Sequence, residues 1–342
     1  MNTAADVSEG PEDPVLNLIT SPIPGLLWHY TGFEGFMGIV NSKHIYATNL
    51  KYLNDKEEFE HGYSLARQLL LDLLPEEDAD PPVVRQLVMG EFEGLFTQGP
   101  LSPETLSVFT ASFTLHGDQL SQWGGYSRGS TGVSLGFDFS DVRAFTAPSS
   151  PVIFAPCVYS DAQKETVLRN AIASYLEHTL KHAMAIADMP TVLRSIDAIA
   201  KEKPDQSRER ISDDYLKQAL ERSQKELPRI VGELSVNLLH LIGLLKHAAF
   251  EEEQEWRYLF PVFANMRRPP EQKFRARAST LVPYLEFPLV ANDESKGFRL
   301  REVKLGPGSD EISAVPSVQA FLASVGLRDV KVSRSRIPYR SW

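Results

Sequence analysis

The chain is nearly without cysteine, short of positive charge and free of long apolar runs, and each lack removes a class of protein. Cys157 is the only cysteine among 342 residues, so neither an intrachain disulfide framework nor a zinc cluster built on cysteines can form, and a reducing compartment is expected. Against 45 Asp and Glu stand 35 Lys and Arg, a formal net charge of −10. Such a balance opposes general coating of nucleic acid and leaves only a local basic groove as a route to it. No segment approaches about 18 uninterrupted apolar residues, so no membrane partner is expected. The acidic, polar start, Met1 to Pro14, has neither the basic beginning nor the apolar run of a signal peptide. A cytoplasmic location is the resulting expectation. A phosphate-binding P-loop and a dinucleotide glycine fingerprint are missing, and the eight histidines show no H-E-x-x-H spacing. A metal site is therefore not expected.

What is present is the composition of an ordinary globular protein, 42% hydrophobic and 23% charged, long enough to bury a sizeable core. Residues 1–22, with Asp6, Glu9, Glu12, Asp13 and three prolines, carry too few apolar groups to offset ordering entropy and read as a disordered tail. Residues 23–342 read as a single domain. Strands are expected near 26–31, 45–48, 105–114, 131–139, 151–159, 255–263, 281–287, 298–305 and 329–333, where short apolar or aromatic runs sit between turn residues. Helices are expected at 33–41, from a capping box at Asp55 and Glu58 to about 74, at 82–96 and at 318–324. Between 161 and 248 glycine nearly disappears and the apolar period becomes helical, which marks a helical insert. The order of strands, then helices, then strands predicts an α+β fold with a split, mostly antiparallel sheet.

The most informative segment runs from Lys246 through Glu253, Glu255 and Arg257 to Phe260. If extended from Glu253 onward, it projects Glu253, Glu255 and Arg257 from one face and Gln254, Trp256 and Tyr258 from the other. Two carboxylates then share a guanidinium, an arrangement suited to polarising a hydroxyl or stabilising a cation. The same spacing also describes a solvated strand face laced with salt bridges. His29, between Trp28 and Tyr30 before a glycine, is either a hydrogen-bonding group at a sheet edge or a satisfied core histidine. The strand ending in Thr110, Ser112 and Thr114 is followed by Trp123 and Tyr126, three apart, placed either to stack on a planar ligand or to pack beneath the sheet. Gly125-Tyr126-Ser127-Arg128-Gly129 matches G-x-S-x-G but lacks the preceding strand and following helix of a nucleophile elbow. Cys157 lies in an apolar run and reads as an inert thiol. Two basic patches, Arg267 to Arg277 and Arg328 to Arg340, read as solvated loop and tail or as holders of a pyrophosphate or nucleic-acid backbone.

Trp28-His29-Tyr30-Thr31, Leu53-Asn54-Asp55-x-x-Glu58, Ser112-Phe113-Thr114, Gln122-Trp123-x-x-Tyr126, Gly132 to Phe137, Lys246-His247-x-x-Phe250-x-x-Glu253-x-Glu255-Trp256-Arg257 and Arg336 to Arg340 together resemble an uncharacterised bacterial family, domain of unknown function 2971, from about residue 26 onward. A more distant resemblance is to ADP-ribosyltransferases, which have a split antiparallel sheet, a first-strand His or Arg, a middle Ser or Tyr motif and a late Glu, often in Glu-x-Glu. That resemblance implies NAD as substrate, with His29 on a ribose, Ser112 or Tyr126 at the nicotinamide end, and Glu255 on the nicotinamide ribose. Glu253 would orient the acceptor, while Tyr30, Trp123 and Arg257 would add ligand contacts. The implied reaction cleaves the nicotinamide–ribose bond and passes ADP-ribose to a protein or nucleic-acid acceptor, or to water. Two other readings stay open: a noncatalytic module that senses a nucleotide, and a nucleic-acid-processing defence effector using the basic patches. Oligomeric state is not legible in the sequence.

Overall fold

In the computed structural model the described residues are 14–53, 56–74, 83–97, 107–127, 130–141, 152–177, 229, 231–263, 266–277, 279–291, 297–310 and 312–338. Helix α1 (Pro14–Ile19) precedes β1 (Leu27–Thr31), α2 (Phe33–Ser42) and β2 (His44–Asn49). Helices α3 (Lys56–Leu73) and α4 (Val83–Thr97) follow, then β3 (Ser107–Thr114), α5 (Leu120–Tyr126), β4 (Val133–Phe137) and β5 (Ile153–Pro156). Next come α6 (Asp161–Tyr175), α7 (residues 231–244) and β6 (Glu255–Val262). The chain closes with β7 (Lys273–Ala276), β8 (Leu281–Pro288), β9 (Leu300–Leu305), α8 (Ala314–Ser324) and β10 (Lys331–Arg334). The fold is α+β, as expected, and its sheet is mostly antiparallel, only β9 and β10 running parallel among the described strands.

Two expectations need correction. The amino-terminal tail is not loose from residue 14 onward, because α1 lies against α6 and β5 and Leu18 packs on their core. The basic segment Arg267 to Arg277 is not simply a solvated loop, since Lys273–Ala276 forms the outermost strand β7; at the other end of the sheet Lys331–Arg334 forms β10, where a strand was expected. Lysine and arginine on such edges discourage pairing with another chain. The predicted capping residue Asp55 and the middle of the helical insert lie outside the described residues. Its two ends, α6 and α7, are helical.

Alternation along β3 sorts the sheet's faces. Phe109, Ala111 and Phe113 point into a core with Trp256, Phe154, Leu135 and the buried faces of α2 and α8. Leu259 and Ile153 meet α3, α4, α6 and α7 on the opposite face. Burying each such Phe or Leu contributes about 1.5–3 kcal/mol, so both helical layers are fixed by apolar contact.

Strand β6 occupies the whole of one edge of β3, from Ser107 opposite Val262 to Thr114 opposite Glu255. The other edge is shared: β2 pairs at Phe109 and Thr110, while β1 pairs only at Thr114. The sheet therefore forks between β1 and β2. Backbone groups of Ala111 to Phe113 on that edge have no strand beside them, and a side chain must fill the gap.

Candidate functional site

That side chain is His29. Its Nδ1 donates to the Ser112 carbonyl oxygen at 3.0 Å, and because a carbonyl only accepts, the proton sits on Nδ1 and the neutral ring leaves Nε2 as an acceptor. Burial lowers the His29 pKa, outweighing the Ser112 hydrogen bond that raises it. Beside the fork, a cleft of about 290 Å³ is lined by His29, Tyr30, Ser112, Tyr126, Glu253 and Glu255, together with Trp28, Thr114, Gln122, Glu58, Lys246 and Arg277.

The acidic side of the cleft is assembled by the end of α7. The last carbonyls of a helix lack intrahelical partners, and three of them are taken up here: Ile242 accepts from the Leu245 N–H, Leu244 from the Val158 N–H at 2.9 Å, and Gly243 from Arg257 Nη1 at 3.0 Å. Lys246 is then fixed by its N–H donating to the Val158 carbonyl at 2.9 Å. A short 3₁₀ turn, Ala248–Glu253, follows, and Gln254 adopts a left-handed conformation at φ 39°. This turn brings Glu253 and Glu255 to the same ammonium, with Lys246 Nζ donating to Oε2 of each. Arg257 Nε donates to Glu255 Oε1 at 2.8 Å. Tyr126 donates its hydroxyl to Glu253 Oε1 at 3.2 Å, and the Thr114 hydroxyl donates to the Glu253 carbonyl at 2.6 Å.

This cluster is not a solvated strand face. Glu255 and Lys246 are 4% and 5% exposed and Arg257 only 1%, so the charges neutralise one another away from water. Burial pushes the Glu255 carboxyl up, but Arg257 and Lys246 together outweigh it and hold the group at about 2. Burial alone would lower the Lys246 pKa, yet the Glu255 carboxylate leaves it above the ordinary lysine value. Burial, reinforced by Glu253, pushes Tyr126 up to about 12, so its phenol stays protonated. Glu255 is thus a permanent anion at neutral pH, poor as a general base and suited to stabilising positive charge.

Several expected contacts fall elsewhere. Trp123 is fully buried, with its indole N–H on Asp118 at 2.9 Å and its ring edge-on to Tyr30 at 4.7 Å; it supports the cleft from behind. Arg257 also stands behind, holding Glu255 to the end of α7. Tyr30 lines the cleft with its ring, but its hydroxyl is committed to the 116–119 turn, donating to the His116 carbonyl at 2.8 Å and accepting from the Gln119 N–H at 3.0 Å. Cys157 is buried, its N–H donating to the Glu255 carbonyl. Sequence reasoning gave no role to Lys246, although a lone lysine directly after the apolar run 238–245, seven and nine residues before two glutamates, was the available signal. Glu58 is held by accepting from the His247 N–H at 3.0 Å, joining α3 to the same turn.

No group of His, Cys, Asp and Glu among the described residues is arranged to hold a metal ion, and no helix among them is long and apolar enough to cross a membrane. No curated protein and no solved structure matches the chain. Residues 122–258, which include Trp123, Tyr126, Lys246 and the Glu253–Arg257 turn, match the family described as Protein of unknown function (DUF2971).

Proposed function

We propose that the cleft binds NAD and that the protein transfers ADP-ribose from it, to an acceptor or to water. The observation that carries this reading is the meeting of His29 from β1, Ser112 from β3, Tyr126 from α5 and Glu255 from the start of β6 around one cleft at the fork of an antiparallel sheet. That order of residues and that forked sheet resemble the ADP-ribosyltransferase arrangement. His29 Nε2 is free to accept from a ribose hydroxyl. When the bond between the ribose C1′ and the nicotinamide nitrogen breaks, nicotinamide leaves with the bonding pair and positive charge develops on the sugar. Glu255, ionised throughout, stabilises that charge without a proton transfer. The acceptor's oxygen or nitrogen then bonds to C1′ and releases its proton to solvent. Glu253 holds Tyr126 and Lys246 at the rim where the acceptor enters.

Incubation with NAD, with nicotinamide release followed by chromatography, tests this. The wild type should release nicotinamide, and Glu255→Gln should lose at least about a hundredfold in rate, the scale of removing one charge-stabilising group, while still binding NAD. Absence of both release and NAD binding would overturn the reading.

A noncatalytic nucleotide-binding module is the second reading, favoured by one feature: both Glu255 oxygens already accept N–H donors. Each carboxylate oxygen accepts about two hydrogen bonds; Oε2 also accepts from Arg257 Nη2 at 3.3 Å, so room for a ribose hydroxyl is left on Oε1. NAD binding without nicotinamide release, across protein and nucleic-acid acceptors, selects this second reading.

A further inference from the structure

The cleft continues onto the outer part of the same sheet face. Register places Thr48 beside Thr110 on β3 and beside Tyr284 on β8, and Tyr284 beside Lys273 on β7. Tyr46, Thr48, Tyr284, Lys273 and Arg275 therefore share the face that carries Ser112 and Thr114 at the cleft. Three strand spacings, about 14 Å, separate β3 from β7, and the long arginines reach back across them. Arg277 lines the cleft mouth and donates to the Tyr52 carbonyl at 3.1 Å. Arg275 donates to the Thr48 hydroxyl at 2.8 Å, lies 6.0 Å from the Tyr46 ring centroid, and is close enough to His29 to depress its pKa.

Three features mark this strip as a ligand surface rather than an ordinary charged edge. Lys273 is paired with Glu286 at 2.8 Å, whereas no carboxylate pairs with Arg275 or Arg277 among the described residues. The Arg275 Nε is buried with no hydrogen-bond partner among them, a donor desolvated without compensation. Tyr46 is 40% exposed and stacked on Tyr284, ring centroids 4.0 Å apart, which fixes a partly exposed aromatic ring beside Arg275.

We propose that Arg275 and Arg277 form a pyrophosphate subsite and that Tyr46 is the platform for the distal base, so that the site takes a dinucleotide rather than a nucleoside. The inference rests on reading the cleft as the nicotinamide-ribose pocket. The sequence of features, from Glu255 in the cleft through two arginines to an aromatic plane, follows the order of sugar, diphosphate and base along such a ligand. Two guanidiniums suit a pyrophosphate, each offering paired N–H donors to its oxygens.

Calorimetric titration with NAD, ADP-ribose and nicotinamide riboside tests the proposal. The wild type should bind NAD and ADP-ribose more tightly than the riboside. Arg277→Gln, at an exposed position, should weaken NAD and ADP-ribose about tenfold or more and weaken the riboside, which has no diphosphate, far less. Tyr46→Ser should weaken NAD and ADP-ribose about tenfold, the scale of one base stacked on an aromatic ring, again without affecting the riboside. Equal wild-type affinity for riboside and NAD, unchanged NAD affinity in both variants, or no binding of NAD and ADP-ribose overturns it. NAD binding that depends on Arg277 without nicotinamide release keeps the subsite and removes the transfer reading. Nicotinamide release with KM unchanged in both variants does the reverse.

Discussion

Replacing Lys246 with methionine removes the ammonium from between two buried carboxylates while keeping much of its apolar stem. In the wild type, Glu255 is held at about 2 against an ordinary 4.5, a difference worth about 3 kcal/mol at neutral pH. A depressed carboxyl contributes stability that is fully present above about pH 4.5 and is lost as pH falls through about 2. In Lys246→Met, Glu255 retains Arg257 alone and Glu253 retains the Tyr126 hydroxyl. Removing one partner of a buried ion pair costs about 3–5 kcal/mol, which corresponds to roughly 4–7 °C in melting temperature for a chain of this length. With one cation gone, the Glu255 pKa rises, so protonation relieves the variant at a pH where the wild type gains nothing. The gap between the two proteins should be widest at pH 7–8 and narrow towards pH 4. Urea unfolding followed by circular dichroism at pH 4, 5.5 and 7.5 measures it. A loss below about 1 kcal/mol, or a loss equal at all three pH values, refutes the account of Lys246 as a cation that keeps Glu255 buried and ionised.

Tyr126→Phe removes the hydroxyl that donates to Glu253 and should cost about 1 kcal/mol in urea unfolding, with the aromatic wall of the cleft kept; no change would show that the hydroxyl is bound to water instead. Gln254→Gly should stabilise the protein by roughly 1 kcal/mol, because Gln254 is exposed, non-glycine and at φ 39°; a lower melting temperature would contradict the strain assigned there. Gly132→Ala should destabilise by at least about 1–3 kcal/mol, since an added Cβ would stand 2.3 Å from the Thr31 carbonyl oxygen where β1 and β4 approach, and a melting temperature equal to the wild type would show that the strands separate freely.

Much of the secondary structure was legible because its signals are local. The alternation Val108 to Thr114 and the run Glu255 to Phe263 both became strands with the expected faces, Phe113 and Trp256 inward to one core. Strand β7 was missed because Lys273, Phe274 and Arg275 alternate without a buried apolar member, Phe274 being 58% exposed; an edge strand needs no hydrophobic face to be held by its neighbour. At the site, the types of His29, Tyr126, Glu253 and Glu255 could be picked out, whereas Trp123 and Arg257 carry the same chemical suggestion and stand behind the cleft. Chain order does not distinguish a side chain that lines a pocket from one that supports it.

The sequence by itself determined that this is an acidic α+β chain without an intrachain disulfide, with helices after residue 161 and before Lys246 and a Glu-x-Glu-Trp-Arg strand start, since composition and short-range periodicity are properties of neighbouring residues. Only the tertiary structure decided that the glutamates are buried and clamped by Lys246 and Arg257 rather than solvated. Their environment is set by the end of a helix, a strand whose Thr114 stands 139 residues from Glu253 in the chain and a forked sheet, and desolvation and Coulomb energy depend on those distances in space rather than on spacing along the chain.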